Sequence, residues 1–166
     1  MNYHESIEKK IVTLQEIIDI LQHVRQNSEP PAVVFTNGCF DLVHRGHVDY
    51  LSRARDLGDL LIVGLNSDAS VKRLKGPSRP ISNEQSRATV MAAFGFVDYV
   101  VIFEEETPLK LIEAIRPEIL VKGGDYCRDT VVGADFVESH GGRVELLSLV
   151  PGESTTNLIN RMTSSC

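Results

Sequence analysis

The sequence predicts a single doubly wound α/β domain of about five parallel strands, with an extra N-terminal helix. Three observations lead to this prediction. Short apolar runs alternate with segments of helical period, a pattern typical of a parallel sheet that helices cover on both faces. The 166 residues fit one domain, and no long linker divides them. A glycine-containing loop with two histidines follows the first apolar run, where sheets of this kind bind ligands.

An amphipathic N-terminal helix is expected over about residues 5–26. Its apolar residues recur at three- and four-residue steps and form one stripe: Ile7, Ile11, Leu14, Ile18 and Leu21. Pro30 and Pro31 lie beyond its end, since proline does not continue a helix. We therefore divide the chain into an N-terminal helix and linker, residues 1–30, and a main domain, residues 31–166.

Strands and helices alternate along the main domain. The apolar runs predict strands at about residues 32–36, 60–65, 99–103, 118–122 and 144–147. Helices are expected at about 46–57, around 71–74, at 82–94, from 107–108 onward, at 131–139 and after Ser154. Gly58 occupies the usual capping position behind the helix at 46–57.

Charge and cysteine content narrow the classes of function. The net charge is −6 and no block of lysines or arginines occurs, which argues against nucleic acid or an anionic membrane as the main partner. The first residues lack the apolar core of a signal peptide, and no apolar run approaches the roughly 18 residues of a membrane span. Three cysteines without a C-x-x-C pair suggest a reducing cytoplasm.

The strongest chemical signal is the loop that follows the first strand, which runs from Thr36 to His47. If the next helix begins near Gly46, His47 lies in its first turn and His44 just before it. Both imidazoles then lie near free backbone N–H groups and a partial positive charge, which together attract phosphate. Gly46 would let backbone and ligand approach closely. The loop therefore predicts a donor cradle for a phosphate that gains charge in a transition state.

Other interpretations of this loop stay open on the residues alone. The two histidines could be solvated residues at a helix start. Together with Cys39 or Asp41 they could bind zinc, although a second ligand pair at a suitable spacing is missing. A hydrolase built on Cys39 and a histidine has less support, because no third orienting residue is evident. Asp41 itself could contact Mg²⁺, hold a substrate hydroxyl or cap the loop, and we favour orientation or substrate binding.

Four basic residues further along the chain are candidates for binding phosphate. Lys72 and Lys75 lie on a Gly/Pro segment that looks mobile, and they could close over phosphates as point charges. Arg79, which precedes a proline, and Arg87 on the next helix are further candidates. A solvated basic turn is the alternative for each of them.

Two further segments are expected at the same edge of the sheet as the histidine loop. Lys122, Gly123 and Asp125 follow the fourth strand, where two glycines would let a flat base or a sugar approach the backbone. The alternative is a simple tight turn. Ser154, Thr155 and Thr156 open the last helix, where hydroxyls and free N–H groups suit phosphate, or provide an ordinary cap.

These residues carry a family resemblance. The run from Gly38 to His47 resembles the G-x-F-D-x-x-H-x-G-H signature of the cytidylyltransferase-like nucleotidyltransferases. Other stretches are similar to the D-glycero-D-manno-heptose 1-phosphate adenylyltransferases of bacterial ADP-heptose synthesis: residues 66–68, 72–76, 78–80, 121–126 and 154–157. The resemblance extends from Ala32 to Arg161. Glycerol-3-phosphate cytidylyltransferases place an arginine before the last stretch, where this chain has residues 149–152 without one, and this difference favours the heptose branch.

The resemblance implies a Rossmann-like fold with strand order 3-2-1-4-5 and a specific reaction. AMP would pass from ATP to D-glycero-D-manno-heptose 1-phosphate, giving ADP-heptose and pyrophosphate for lipopolysaccharide core or related glycan synthesis. One alternative is a cytidylyltransferase that acts on glycerol 3-phosphate or another alcohol or sugar phosphate. Another is a non-catalytic nucleotide-binding module that regulates a partner.

The resemblance also implies roles for individual residues. Catalytic roles fall to His44, His47 and Lys72. Nucleotide binding is expected of Thr36, Asn37, Gly38, Cys39, Phe40, Gly46, Lys122, Gly123, Asp125, Ser154, Thr155 and Thr156. Binding of the sugar phosphate is expected of Asp41, Asn66, Asp68, Lys75, Arg79 and Arg87. Mg²⁺ would accompany ATP without fixed protein ligands. A cytoplasmic homo-oligomer, most simply a dimer, and a separate sugar kinase upstream are expected.

Overall fold

A computed structural model of the chain describes residues 2–124, 126–152 and 154–163. The strands are β1 Val33–Gly38, β2 Leu60–Asn66, β3 Tyr99–Phe103, β4 Ile119–Gly123 and β5 Arg143–Leu147. The helices are α1 Tyr3–Glu8, α2 Leu14–Val24, α3 Arg45–Arg55, α4 Asp68–Lys75, α5 Glu84–Ala92, α6 Leu109–Ile115, α7 Ala134–Ser139 and α8 Thr155–Thr163. A short 3₁₀ turn spans Arg128–Thr130.

The five strands form one sheet in the order β3-β2-β1-β4-β5, and every pairing is parallel. This confirms the predicted fold class and strand order. The chain leaves β1 for β2 on one side and later returns to β4 on the other side. The carboxyl ends of β1 and β4 therefore lie at the topological switch point, where a crevice opens for a ligand.

The sheet is buried on both faces, as its apolar strands predict. In β1, Val34 belongs to one core cluster and its neighbours Val33 and Phe35 to the other. This alternation follows from the two-residue period of a strand. One cluster includes side chains from α3 and α5, such as Leu51 and Met91, while the opposite cluster takes side chains from α2, α6 and α7. Helices on both faces thus hold the edge with the histidine loop in place.

The N-terminal segment differs from the prediction of a single helix, because α1 and α2 are separate. Between them the chain runs beside β3: the Val12 N–H donates to the Val100 carbonyl at 3.0 Å, and the Val100 N–H donates to the Lys10 carbonyl at 2.8 Å. A capping box then restarts the helix, since Thr13 Oγ1 accepts the Glu16 N–H and the Glu16 carboxylate accepts the Thr13 N–H. The T-x-x-E pattern in the sequence was the signal for this break.

Two further local predictions were wrong. Gly58 does not cap α3, whose cap residue is Asp56. A Cβ at Gly58 would lie 2.7 Å from the Ala32 carbonyl oxygen, so glycine is needed there for the close approach to β1. Lys72 and Lys75 do not lie on a loose segment, because both belong to α4. Among the described residues, no helix combines the length and apolarity needed to cross a membrane.

Candidate active site

A cleft lies at the carboxyl edge of the sheet and consists of two adjoining lobes. The histidine lobe has a volume of about 260 Å³ and the lysine lobe about 480 Å³. Both lobes are lined by Asn37, Gly38, Cys39, Phe40, His47, Lys122, Tyr126 and Thr155. The histidine lobe adds His44, Gly46, Tyr50, Gly123, Leu149 and Ser154. The lysine lobe adds Asp41, Asn66, Leu74, Lys75, Arg79 and Thr156. The structure thus brings together most of the predicted residues.

The two histidines close the N-terminus of α3 with their own side chains. Nδ1 of His44 accepts the Gly46 N–H at 3.1 Å, and Nδ1 of His47 accepts the His44 N–H at 3.4 Å. The ring centroids are 4.0 Å apart. Because Nδ1 is an acceptor in both rings, the proton of each neutral imidazole must be on Nε2. The cap therefore sets the tautomer that offers Nε2–H donors to an anion.

The His47 side chain is neutral at neutral pH. Burial, followed by the neighbouring His44, lowers the pKa of His47 to about 4. The Phe40 ring packs edge-on against His47 at a centroid distance of 5.3 Å. Phe40 has a φ of 44°, a left-handed backbone conformation that is uncommon outside glycine. Such strained residues concentrate at functional sites, where the surrounding structure determines their conformation.

A half-buried lysine links the ends of β1 and β4 across the crevice. The Lys122 ammonium donates to Oδ1 of Asn37. Burial lowers the pKa of Lys122 to about 8, although Cys39 opposes the shift. Burial also raises the pKa of the Cys39 thiol, so this cysteine is not an activated thiolate. The hydrolase interpretation therefore lacks its nucleophile.

Thr36 was expected to contact the nucleotide, but the structure places it elsewhere. Its side chain is fully buried and lies 2.5 Å from the Tyr50 hydroxyl, which in turn donates to the Val121 carbonyl at 3.2 Å. Thr36 does not line either lobe of the cleft. It anchors α3 to β1 and β4, because Tyr50 belongs to α3, and so acts in support of the histidine cap.

An apolar wall that the sequence did not reveal borders the histidine lobe. It consists of Tyr50, Tyr126 and Leu149 beside the backbone of Gly123 and Gly124. A Cβ at Gly123 would lie 2.8 Å from both Leu149 and Tyr50, so only glycine keeps this wall close to β4. A flat aromatic group can stack on such a surface. Tyr126 was present in the similar stretch at residues 121–126, whereas Leu149 carried no sequence signal.

Asp41 binds protein groups rather than presenting an open carboxylate. Its oxygens accept the Arg79 Nε–H at 2.6 Å, the Ile81 N–H at 2.8 Å and the Ser82 N–H at 3.0 Å. Burial alone would raise the pKa of Asp41, but these hydrogen bonds outweigh it and lower the pKa. Asp41 therefore fastens the segment at residues 79–82 to the histidine loop, and Arg79 is held in the lysine lobe.

Arg87 was expected to contact phosphate, but its guanidinium is 1% exposed and fully engaged. It donates to three backbone carbonyls, those of Cys39 at 2.6 Å, Asn66 at 2.8 Å and Ser82 at 3.0 Å. Its remaining nitrogen bonds the Asp68 carboxylate at 2.7 Å. Arg87 thus joins the ends of β1 and β2 to the starts of α4 and α5. This placement argues against the predicted substrate contacts of Arg87 and Asp68.

The two lysines of α4 line two different depressions of the surface. Lys75 lines the lysine lobe, together with Asn66, whose amide donates to Ser70 Oγ at 2.9 Å. Lys72 lines a different depression of about 560 Å³, which also contains Asp68, Glu84 and Glu104. The structure therefore does not bring Lys72 together with the two histidines, and its catalytic role stays a prediction.

The start of α8 forms the far side of the cleft. Ser154 Oγ accepts the Asn157 N–H at 3.1 Å and so caps the helix, as expected. Thr155 Oγ1 donates to the Leu42 carbonyl at 3.3 Å, which joins α8 to the histidine loop. Ser154 lines the histidine lobe and Thr156 the lysine lobe. Asp125, which was also expected to bind nucleotide, lies outside the described residues.

Metal binding was one alternative for the histidine loop. Within residues 2–124, 126–152 and 154–163, no group of three or more His, Cys, Asp or Glu side chains could hold a metal ion. The zinc interpretation thus lacks the ligand number that zinc requires. Cys39 and Cys127 are free thiols.

The chain is similar to known proteins over most of its length. The family model described as cytidylyltransferase-like matches residues 35–157. The chain is 59% identical to the bifunctional protein HldE of Syntrophotalea carbinolica over 161 residues, 96% of this chain. It is 65% identical to the bifunctional protein HldE of Pelobacter propionicus over 130 residues, 78% of this chain. These alignments cover 32% and 27% of the two relatives, so the chain spans about a third of their length.

Two solved structures resemble the fold. One is the crystal structure of the lipopolysaccharide core biosynthesis protein from Thermoplasma volcanium, with 28% identity, a TM-score of 0.60, and coverage of 74% of this chain and 99% of that chain. The other is the pantoate-beta-alanine ligase of Francisella tularensis, with 11% identity, a TM-score of 0.53, and coverage of 93% of this chain and 78% of that chain. At the lower identity the likeness shows the fold alone.

Proposed function

The chain belongs to the cytidylyltransferase-like family, and we propose that it transfers AMP from ATP to D-glycero-D-manno-heptose 1-phosphate, giving ADP-heptose and pyrophosphate. The observation that carries the proposal is the two-lobed cleft. The histidine lobe offers hydrogen-bond donors that suit a triphosphate, the lysine lobe offers cations that suit a second phosphate, and His47 lines both lobes. The heptose acceptor is supported by the similarity to bifunctional proteins HldE at 59% and 65% identity. The similar stretches in the sequence support the same acceptor.

In this proposal ATP occupies the histidine lobe. The Nε2–H groups of His44 and His47 would donate to the α-phosphate, because the helix cap has already oriented both rings. The β- and γ-phosphates would meet Ser154 and the N-terminus of α8, where backbone N–H groups favour anions. The adenine ring would stack on the apolar wall of Tyr50, Tyr126 and Leu149.

The sugar 1-phosphate would enter the lysine lobe. Lys75 and Arg79 supply positive charge there, and Asn66 and Thr156 supply polar groups for hydroxyls. Lys75 was expected to bind the sugar phosphate and lines this lobe, whereas Lys72, for which a catalytic role was expected, lines the other depression. Asp41 would act on the substrate through Arg79, whose side chain it holds.

The reaction needs positioned charge more than proton transfer. A phosphate oxygen of the sugar would attack the α-phosphorus of ATP and form a new P–O bond. The bond between the α-phosphorus and the bridging oxygen would break, and pyrophosphate would leave with the electron pair. A phosphate monoester has a second pKa of about 6, so it is already a competent nucleophile at neutral pH and needs no general base. Catalysis would then rest on alignment and on donors aimed at the transferred phosphoryl group.

Mg²⁺ would enter with ATP. The Asp41 carboxylate does not suit it as a fixed ligand, because three protein donors already occupy its oxygens. Mg²⁺ bound mainly by the phosphates and water is the usual arrangement when few carboxylates are present. When bound, it would neutralise charge on the triphosphate.

We further propose a cytoplasmic setting in lipopolysaccharide core or related heptose glycan synthesis. The free thiols of Cys39 and Cys127 suit a reducing compartment. A sugar kinase activity would supply the anomeric phosphate, and a homodimer would be the working form.

A panel of substrates tests the proposed function. Each anomer of heptose 1-phosphate and glycerol 3-phosphate would be combined with ATP, CTP or GTP, with pyrophosphate release measured and the product identified by mass spectrometry. We expect ADP-heptose from one anomer with ATP, and little product in a His47→Ala control. CDP-glycerol as the main product would instead identify the cytidylyltransferase alternative. ATP binding without pyrophosphate from any pair would identify a regulatory module.

A further inference from the structure

We propose that Lys122 is a catalytic residue that lies between the two reacting phosphates and contacts both the attacking sugar phosphate and the α-phosphate of ATP. This inference rests on the proposed function and extends it, because it assigns a residue to the point where the two substrates meet. The family resemblance implied only a nucleotide contact for Lys122.

The location of Lys122 follows from the shape of the cleft. Attack on the α-phosphorus requires that the donor in the histidine lobe and the acceptor in the lysine lobe meet. Residues that line both lobes therefore surround the reacting atoms. Lys122 and His47 belong to this shared lining, whereas His44 and Ser154 line only the histidine lobe and Lys75 only the lysine lobe.

Lys122 is the cation of that shared lining. Among the eight described residues that face both lobes, Lys122 is the one lysine or arginine, and the other residues with titratable side chains are Cys39, His47 and Tyr126. His47 donates a hydrogen bond but adds no charge, because its pKa is about 4. Two phosphates that approach each other repel strongly, and in a site with little water a fixed ammonium between them reduces that repulsion.

Lys122 is held in place before substrates arrive. It belongs to β4, and its ammonium donates to Oδ1 of Asn37, which belongs to the neighbouring strand β1. Both side chains rise from the carboxyl ends of rigid, paired strands rather than from loops. A group positioned in this way needs little reorganisation during the reaction, in contrast to the exposed lysines of α4.

The atoms and electrons of the reaction balance without any proton transfer by Lys122. The new P–O bond forms at the α-phosphorus, the α–β bridging bond breaks, and pyrophosphate takes the electron pair. Lys122 neither donates nor accepts a proton. It must, however, be protonated to act, and burial lowers its pKa to about 8. The titratable and charged groups that face the lysine lobe with it are Cys39, Asp41, His47, Lys75, Arg79 and Tyr126.

A charge-removing substitution tests the inference. Lys122→Met keeps the length of the side chain and removes the ammonium, and Lys110→Met does the same at a 77% exposed lysine of α6. We expect Lys122→Met to lower kcat by about 10²-fold or more, the scale of losing one preorganised donor, while Lys110→Met leaves kcat unchanged. Because the triphosphate keeps its other contacts, the Kd for ATP should change by less than about tenfold. Thermal unfolding of both variants would verify that they are folded.

A pH profile separates a direct role from a structural one. In the wild type, kcat/KM should fall above about pH 8 as free Lys122 loses its proton. Arginine stays protonated in this range, so Lys122→Arg should keep measurable activity and lose the alkaline fall. This second variant also decides the matter if Lys122→Met does not fold.

These experiments distinguish a failure of the role of Lys122 from a failure of the proposed function. If the wild type forms no nucleoside diphosphate sugar at all, the proposed function is wrong and this inference falls with it. If the wild type is active and Lys122→Met retains full kcat, only the role of Lys122 is wrong. The same conclusion follows if the alkaline fall of kcat/KM persists unchanged in Lys122→Arg.

Discussion

His44 and His47 cap the same helix reciprocally: the His44 N–H donates to Nδ1 of His47 at 3.4 Å, and the two rings lie 4.0 Å apart. The side chains that we propose as catalytic are therefore the same ones that cap the helix. The bonds at Nδ1 direct the protonated Nε2 atoms away from the helix backbone. This relationship makes the helix start and the proposed phosphate donors a single unit.

The first prediction concerns turnover. We expect His44→Ala or His47→Ala to lower kcat by about 10²-fold or more, because each removes a preorganised donor to the α-phosphate. The measurement is steady-state pyrophosphate release with ATP and heptose 1-phosphate. His4→Ala is the matched control, since the His4 side chain is 80% exposed on α1. Normal turnover in either cleft variant would remove both histidines from the mechanism.

A companion variant separates capping from catalysis. Asparagine is among the best N-cap residues, so His44→Asn should preserve the stability of α3. It lacks the Nε2–H donor and should therefore lose as much turnover as His44→Ala. If His44→Asn instead keeps wild-type kcat, the cap alone accounts for the histidine.

The second prediction concerns the pH dependence of stability. The pKa of His47 is about 4 in the folded chain against a reference of 6.5, so between these values the unfolded state binds a proton that the folded state does not. The free energy of unfolding should therefore rise with pH from about 4 to 6.5 and level off above. Urea unfolding at a series of pH values measures this. His47→Asn should flatten the rise, and an identical slope in both proteins would contradict the lowered pKa.

The third prediction concerns the contact between Asp41 and Arg79. The two side chains are 1% and 16% exposed, so their charge-assisted bond is poorly screened by water. A double-mutant cycle with Asp41→Asn and Arg79→Gln should give a coupling energy of about 1–3 kcal/mol in chemical unfolding. The exposed pair of Asp49 and Arg53 is the control, with an expected coupling below about 0.5 kcal/mol. Equal coupling in the two cycles would show that burial adds nothing.

The fourth prediction concerns Arg87. Lysine cannot reproduce the fork that serves three carbonyls and the Asp68 carboxylate, so Arg87→Lys leaves buried acceptors without partners. We expect it to lower the free energy of unfolding by roughly 3 kcal/mol or more. Arg53→Lys, at an exposed arginine of α3, should change it by less than about 0.5 kcal/mol. Arg87→Lys with wild-type stability would show that the guanidinium bonds are not needed for the fold.

The strands and the edge that carries the site could be predicted from local patterns. Apolar runs located all five strands. The order 3-2-1-4-5 was instead implied by the family resemblance, and it is confirmed. The position of the histidines at the start of α3 and the capping role of Ser154 were also confirmed. These features depend on residues close together in the sequence. The resemblance to the cytidylyltransferase-like family was likewise confirmed.

The misplaced residues depend on contacts between distant segments. Arg87 looked like a surface cation, yet it is buried because carbonyls from residues 39, 66 and 82 converge on it. Thr36 looked like part of the ligand-binding loop, yet its side chain pairs with Tyr50, which belongs to the following helix α3. The apolar stripe concealed the break before α2, since periodicity does not register a capping box. The pairings of Arg87 and Thr36 are set by tertiary structure and leave no local signal, whereas the T-x-x-E pattern was a local signal for the break before α2.

The short segment before α2 has a consequence for the aggregation of this protein. Strand β3 is the last strand on its side of the sheet, and the residues around Val12 occupy its outer hydrogen-bonding groups at Val100. An uncovered edge of an apolar strand is a template for strands of other molecules. Removal of the first 13 residues should therefore promote edge-to-edge aggregation. Sedimentation velocity should then show larger species that the full chain does not form. The N-terminal segment thus covers the outer edge of β3 at Val100.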